Sequence, residues 1–210
     1  EALGVTPGDP VVPVCPLTVM ANDRYLMAKA WDNRIGCAAI VEALRVLKED
    51  SHPNTVFGVC TVQEEVGLRG AITSSEAVKP DIGIALDVCV AGDTPGIGAH
   101  EAQGKLGKGP AILLYDASLI PHLGLRNLVI DTAKEEGIPF QYEVLSGGGT
   151  DAGRIHVQGS GVPSVVIGIP TRYIHSAASI INRDDFDNAV RLVVALIKKL
   201  DSATVQQLVK

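Results

Sequence analysis

The sequence has few aromatic residues, few cysteines and no excess of positive charge. Aromatic residues make up 4% of the 210 residues, and the formal net charge of −6 gives no electrostatic reason to bind nucleic acid or an anionic membrane. The apolar runs are too short for a membrane-spanning helix, and the first residues lack the basic start and apolar centre of a signal peptide. These absences predict a cytoplasmic protein with no nucleic-acid partner and no membrane partner.

Several catalytic and structural signatures are also missing. The four cysteines, Cys15, Cys37, Cys60 and Cys89, stand singly, so neither a zinc finger nor a disulfide framework is indicated. We expect buried free thiols in a reducing compartment. Neither a G-x-S-x-G nor an H-E-x-x-H sequence is present, which argues against a serine hydrolase and against a classical zincin.

The remaining composition is that of a globular protein, with 46% hydrophobic and 20% charged residues. Residues 1–27 are rich in Pro, Gly and Val and predict short β segments or an extended arm. Beyond them, strand and helix patterns alternate, which predicts an α/β fold with a layered sheet. Strands are predicted over 54–62, 82–88, 110–115, 140–145 and 162–169, and helices over 32–47, 69–78, 120–136, 152–157 and from 184 onward.

Two adjacent carboxylates, Glu64 and Glu65, follow the first of these strands in the sequence Gln63-Glu-Glu-Val-Gly67. Neighbours on a regular strand point to opposite faces, so both acids can serve one site only if the strand ends and the chain turns here. Val66 and Gly67 are suited to such a turn. Because like charges in a cleft raise one another's pKa, the pair also predicts a nearby cation.

Other oxygen and nitrogen ligands occur at equivalent places in the chain. Asp32 begins a predicted helix, Asp87 lies near the end of a buried strand, and His175 follows the last strand. Carboxylate and imidazole ligands suit zinc, cobalt or manganese, and two such ions can share a bridging carboxylate. Two metals about 3.5–4 Å apart can activate a water molecule and polarise a carbonyl, with a spare carboxylate as general base.

Each of these residues also has an ordinary explanation when it is considered alone. Asp is favoured at a helix N-cap, exposed Glu residues are common in loops, and most histidines are not ligands. The joint placement of the five residues at strand ends and a helix start is what favours a site. The ordinary alternatives are an N-cap for Asp32, solvated loop acids for Glu64 and Glu65, an ion pair of Asp87 with Arg34 or Lys79, and a surface hydrogen bond for His175.

Five segments in this order resemble the family 42 metallopeptidases, which are glutamyl and deblocking aminopeptidases that form tetrahedral dodecamers. The resemblance extends from about residue 28 to about residue 200. It implies a three-layer α/β/α sandwich around a mixed sheet, with residues 1–27 as the tail of an inserted β domain and residues 28–210 as the C-terminal portion of the catalytic domain. The segments are Trp31-Asp-Asn-Arg-Ile-Gly36, Gln63-Glu-Glu-Val-Gly67, Ala85-Leu-Asp-Val88, Ser146-Gly-Gly-Gly-Thr-Asp-Ala152 and Pro170-Thr-Arg-Tyr-Ile-His-Ser176.

The resemblance also implies a role for each candidate residue. Asp32 resembles the carboxylate that bridges two metals, and its bond to the next residue resembles a cis peptide. Glu65 and His175 resemble the remaining ligands of one metal ion, and Asp87 resembles a ligand of the other. Glu64 resembles the general base. The implied cofactors are two divalent ions, zinc or cobalt first and manganese as a third choice.

The implied activity is removal of N-terminal residues from peptides by a homo-oligomer, a dodecamer at full length. A histidine of the family's N-terminal part is absent from this sequence, so we expect a chain without that part and with one intact metal site. The alternatives are an inactive remnant that binds metal or peptide, and a glycosidase that uses Glu64 and Glu65. The residue preference of the enzyme is left open, because the pocket depends on the loops 91–109 and 146–153.

Overall fold

The structure, a computed structural model, describes residues 3–98 and 100–209. Seven strands and six helices follow one another in these residues and account for most of the chain after residue 17. In chain order they are β1 Thr18–Val19, β2 Tyr25–Ala28, α1 Trp31–Lys48, α2 Arg69–Val78, β3 Gly83–Val90, β4 Ala111–Tyr115, α3 Leu123–Glu135, β5 Gln141–Val144, α4 Ala152–Ile155, β6 Ser164–Arg172, β7 Ser179–Asn182, α5 Arg183–Lys199 and α6 Ser202–Leu208.

The strands form one mixed sheet. Its main path runs β1-β2-β7-β6-β4-β5, and β3 pairs with β6 along the other edge of that strand. The β3 and β6 strands are parallel over their full contact, as are β4 and β5, whereas the remaining pairs are antiparallel. The mixed sheet and its helices confirm the predicted α/β fold class.

Helices cover both faces of this sheet. The larger core packs α1, α3 and α5 against the first face, and alternate β3 residues such as Ile84 and Leu86 point toward it. A smaller core on the second face contains Ala85, Ala152 and Val166. Because side chains alternate along a strand, Asp87 projects toward the second face, as Ala85 does.

The irregular loop between β3 and β4 is anchored at two points. Asp185, in the first turn of α5, is fully buried and accepts hydrogen bonds of 2.7 Å from the backbone N–H groups of Gly107 and Gly109. Arg172, at the end of β6, makes a bidentate ion pair with Asp93 at 2.6 and 3.2 Å. These contacts hold the loop against the end of the sheet where the candidate residues lie.

Most predicted elements agree with the structure to within a few residues. The helix predicted over 69–78 coincides with α2. The final helix was predicted from residue 184 onward, and α5 begins one residue before that, at Arg183. The short strand β7 and the helix α6 were not predicted. β7 lies directly after the His175 segment and pairs with both β2 and β6, so its strand character depends on its neighbours.

The predicted buried strand over 54–62 is wrong. In the described part of the chain the backbone of residues 55–60 has no hydrogen-bond partner, and Phe57 is 62% exposed. The segment instead lies along α1, where a Cβ on Gly58 would be 2.7 Å from Ile40 and 2.6 Å from Leu44. The run of β-branched residues indicates strand propensity, but a strand also needs a ladder partner, which these residues do not have.

The expectations for the cysteines and the N-terminal arm are met in part. All four cysteines are free, but Cys60 is exposed and only Cys89 is buried. The arm contains short β segments, since β1 pairs with β2 and β2 joins the sheet through β7.

No helix among residues 3–98 and 100–209 combines the length and apolarity needed to cross a membrane.

Candidate metal centre

Asp32 is held at the beginning of α1 by a backbone that departs from helical geometry. Its ψ is 107°, and the Asp32–Asn33 peptide bond is cis, as the resemblance implied. The Asn33 side chain donates a hydrogen bond of 2.8 Å to the Leu86 carbonyl oxygen. It also accepts a hydrogen bond of 2.9 Å from the backbone N–H of Gly36. These bonds attach the start of the helix to β3, one residue before Asp87.

A glycine allows this close approach of helix and strand. A Cβ at Gly36 would lie only 2.3 Å from the Leu86 carbonyl oxygen. The helix therefore packs against the β3 backbone more closely than any larger residue would allow, which brings Asp32 to the carboxyl end of the strand.

The chain turns sharply around Glu64 and Glu65, as the sequence predicted. Gln63 and Leu68 both have a φ of +58°, and the Glu64 carbonyl oxygen accepts hydrogen bonds from the backbone N–H groups of Gly67 and Leu68. The turn removes the alternation of a regular strand, so the two carboxylates can face one region. Glu64 is half-buried, whereas Glu65 is exposed.

His175 brings an imidazole to the same region from the loop after β6. Its Nε2 atom lies 3.0 Å from Oδ2 of Asp32 and 3.3 Å from Oε2 of Glu65. The donor atoms of these three residues are all within 4.8 Å of one another. The structure therefore brings together three of the four predicted ligands as a set of nitrogen and oxygen donors, which is the donor chemistry that zinc and cobalt sites use.

Asp87, the fourth predicted ligand, lies on β3 and is not one of the three residues of this group. It is 9% exposed, and its Oδ1 accepts a hydrogen bond from the backbone N–H of Val88. Burial raises the pKa of Asp87 well above its usual value, and the charges of Asp32 and Glu64 add to the effect. No Lys or Arg pairs with Asp87 in the described residues, so the ordinary alternative of an ion pair with Arg34 or Lys79 is not seen.

The acids of the region repel one another. Burial raises the pKa of Glu64 to about 7, with further contributions from the charges of Asp151 and then Glu65. The pKa of Asp32 is also raised, by burial and by Glu65, against the opposing effect of His175. A cation placed among these carboxylates would reverse the effect, because it favours their charged forms. The residues therefore fit a bound cation.

Asp151 is a member of this acidic group that was not singled out in the sequence. It lies after the run Gly147-Gly-Gly149, and its Oδ2 accepts a 2.6 Å hydrogen bond from the Thr61 hydroxyl. Its Oδ1 is buried and has no hydrogen-bond partner among the described residues. The signal that could have found it is an acid at the beginning of a helix, since Asp151 directly precedes α4 as Asp32 lies at the start of α1.

The glycine run forms a turn that contacts the loop following β4. Gly148 has a φ of +94°, and its carbonyl oxygen accepts a hydrogen bond of 2.9 Å from the backbone N–H of Ala117.

The alternative explanation of Asp32 as a helix N-cap is not seen. The cap position of α1 is Ala30, and no side-chain hydrogen bond caps the helix.

The fold and the cluster define an α/β protein with a candidate metal centre at the end of its sheet. The model of the M42 glutamyl aminopeptidase family matches residues 1–192. The chain belongs to this family.

Two curated relatives and two solved structures illustrate the relationship. A putative aminopeptidase of Acetivibrio thermocellus is 47% identical over 179 residues, covering 85% of this chain and 53% of the relative. The glutamyl aminopeptidase of Lactococcus lactis subsp. cremoris is 38% identical over 205 residues, covering 98% of this chain and 56% of the relative.

Among solved structures, a TET aminopeptidase from the marine sediment archaeon Thaumarchaeota archaeon SCGC AB-539-E09 superposes with a TM-score of 0.94 at 52% identity, covering 98% of this chain and 58% of that one. The Pyrococcus horikoshii TET1 peptidase, which can assemble into a tetrahedron or a large octahedral shell, has a TM-score of 0.76 at 31% identity, covering 89% and 53% of the two chains. The chain thus spans about half the length of the curated relatives it matches.

Proposed function

We propose that this chain carries the metal centre of an aminopeptidase that removes N-terminal residues from peptides. The observation that carries the proposal is the convergence of Asp32, Glu65 and His175, with donor atoms within 4.8 Å of one another, beside the half-buried Glu64. Membership of the M42 glutamyl aminopeptidase family gives the reaction class.

The ligand roles are proposed as the family resemblance implies them. Asp32, Glu65 and His175 would hold one divalent ion, and Asp32 and Asp87 would contribute to a second. Zinc and cobalt suit this donor set best, and manganese is the third choice. When bound, such ions polarise the scissile carbonyl and lower the pKa of water.

Glu64 is the proposed general base. Its carboxylate accepts a proton from the attacking water and later delivers the proton to the leaving amine. Its position suits that role, because Glu64 is partly shielded from solvent and lies beside the donor set of Asp32, Glu65 and His175 without belonging to it.

The proposal is tested by hydrolysis of amino-acid p-nitroanilides after removal and return of metal. We expect a chelator to abolish turnover and added Zn²⁺ or Co²⁺ to restore it. A folded chain that binds metal and turns over no anilide would instead support the inactive metal-binding remnant. Cleavage of cellulose oligomers that survives the chelator would support the glycosidase that uses Glu64 and Glu65.

We also propose a cytoplasmic homo-oligomer, in which residues 1–27 form the tail of an inserted β domain and residues 28–210 the C-terminal part of the catalytic domain. The assembly proposal is supported by the TET1 peptidase of Pyrococcus horikoshii, which can form a tetrahedron or an octahedral shell. Light scattering after size exclusion tests it, and a monomer at micromolar concentration would contradict it for this chain.

A further inference from the structure

Two of the free cysteines lie on segments that lead to the candidate metal centre. Cys37 is on α1, five residues after Asp32, and Cys60 lies five residues before Glu65. Cys60 is exposed to solvent, whereas Cys37 is half-buried. Both cysteines are free thiols in this structure, and neither belongs to the donor set of the metal centre.

The segment that carries Cys60 packs along α1 and is fixed to it at two places. A Cβ on Gly58 would lie 2.7 Å from Ile40 and 2.6 Å from Leu44, so Gly58 contacts the middle of the helix. Further along the chain, the Glu65 carboxylate meets Asp32 at the start of the helix. Cys60 lies between these two places on its segment, just as Cys37 lies between them on the helix.

The helix presents Cys37 toward this segment. Cys37 is three residues before Ile40, and side chains with that spacing lie on the same face of a helix. The Cys37 and Cys60 thiols are direct neighbours, since the pKa of Cys37 is raised by burial and then by the Cys60 thiol. At Cys89, by contrast, the pKa is raised by burial and by carboxylates such as Glu143.

We propose that Cys37 and Cys60 form a reversible disulfide and are an oxidation site of this protein. The disulfide would join the helix that begins at Asp32 to the segment that carries Glu64 and Glu65. An exposed thiol beside a second thiol is the arrangement that oxidises to a disulfide most readily. The inference goes beyond the proposed function, because it requires neither a bound metal ion nor turnover.

The oxidant is a small-molecule disulfide such as oxidised glutathione. Cys60, which is accessible, loses its proton to solvent, and its thiolate attacks one glutathione sulfur. The glutathione disulfide bond breaks, one glutathione thiolate leaves, and a mixed disulfide remains on Cys60. The Cys37 thiolate then attacks the Cys60 sulfur and releases the second glutathione thiolate. The two cysteines thus lose two electrons and two protons, and one glutathione disulfide becomes two glutathione thiols.

The crosslink would restrain a segment that has few other attachments. The backbone of residues 55–60 makes no hydrogen bond in the described part of the chain. A disulfide would add a covalent bond there and close the loop from residue 37 to residue 60, which restricts the unfolded chain. We therefore expect the Tm of the oxidised protein to be higher by about 5 °C.

Peptide mapping tests the proposal directly, because each cysteine falls in a different tryptic peptide. Trypsin should release Cys37 in residues 35–45 and Cys60 in residues 49–69. After incubation of the folded chain with excess oxidised glutathione, mass spectrometry without reduction should show these two peptides joined, with the loss of two hydrogen atoms. Dithiothreitol should separate them. Cys15→Ser, on the N-terminal arm, is the control and should keep the linked pair.

A chain that stays fully reduced under these conditions would overturn the inference. So would a glutathione adduct that persists on Cys60, or a mixture in which Cys37 and Cys60 are linked to Cys15 or Cys89 as often as to each other. Peptide mapping of the unmodified chain decides the question even if a variant does not fold. Thermal unfolding adds a second test, since oxidised glutathione should raise the Tm of the unmodified chain and leave that of Cys60→Ser unchanged.

Discussion

The hydroxyl of Thr61 donates a 2.6 Å hydrogen bond to Oδ2 of Asp151. The bond connects the exposed segment before Glu64 to the turn after the glycine run. Because Oδ1 of Asp151 is buried without a partner, Thr61 supplies the only hydrogen bond that the described residues make to this carboxylate. The bond therefore holds the Asp151 carboxylate in its place within the acidic group.

Replacement of Thr61 by Val should lower the free energy of unfolding by about 1–3 kcal/mol, because the substitution leaves a partly buried carboxylate without its donor. Thr61→Ser keeps the hydroxyl and should lose much less. Urea denaturation measures the effect. Thr55→Val, at an exposed position of the same segment, is the control and should change stability by less than about 0.5 kcal/mol. Equal losses at both positions would show that the hydrogen bond is not the cause.

Glu64 and Glu65 should respond differently to the same substitution. Glu64→Gln should reduce turnover by about 10²–10⁴-fold and leave metal binding intact, since it removes a proton acceptor. Glu65→Gln should weaken metal binding, because the Glu65 carboxylate lies 3.3 Å from His175 within the donor set. Anilide hydrolysis and metal analysis of the dialysed proteins measure the two effects. Equal metal loss in both variants would refute the division of roles.

Divalent ions should stabilise the chain through His175. A ligand that binds only the folded state at a hundred times its Kd adds about 2.7 kcal/mol, so Zn²⁺ should raise the Tm. The increase should be lost or much reduced in His175→Ala. His100→Ala removes an exposed imidazole outside the acidic group and should keep the increase in Tm. The same zinc-induced shift in both variants would exclude His175 as a ligand.

The start of α1 should tolerate no side chain at Gly36. A Cβ there would lie 2.3 Å from the Leu86 carbonyl oxygen, so Gly36→Ala should destabilise the protein by about 1–3 kcal/mol or more and weaken metal binding by moving Asp32. Gly147→Ala is the control, since a Cβ at that position would have no neighbour within 4 Å among the described residues. Thermal unfolding compares the two, and unchanged stability in Gly36→Ala would contradict the close helix–strand contact.

Glu143 should make the chain less stable as the pH rises. Burial raises its pKa from 4.5 to about 7, so between these values the folded state binds more protons than the unfolded state. The free energy of unfolding then falls as the pH increases through this range, and the loss persists above pH 7. Compared with Glu143→Gln, the unmodified chain should lose on the order of 3 kcal/mol between pH 4.5 and 8.

The comparison with Glu143→Gln isolates one group, because Glu64 and Asp185 also have raised pKa values and remain in both proteins. Denaturation by urea at several pH values measures the difference. Parallel stability curves for the two proteins would mean that the Glu143 carboxylate is solvated and not buried.

The sequence by itself determined the alternation of strands and helices and the chemical identity of the site residues. Hydrophobic periodicity depends on local repeats of two or 3.6 residues, so α1, α2, β3 and α5 could be predicted from it. The five ordered segments were sufficient to suggest the family, and the structure brings together Asp32, Glu65 and His175 from three of them.

Only the tertiary structure decided which predicted strands pair with a neighbouring strand and which acids are buried. Residues 54–62 have the composition of a strand but form no ladder with any strand of the described residues, whereas β7 is a strand because β2 and β6 flank it. Asp151 and Glu143 are ordinary acids in the sequence. Their importance comes from burial, from a carboxylate oxygen left without a donor, and from the residues that surround them. Those properties depend on contacts between distant parts of the chain, which no local pattern contains.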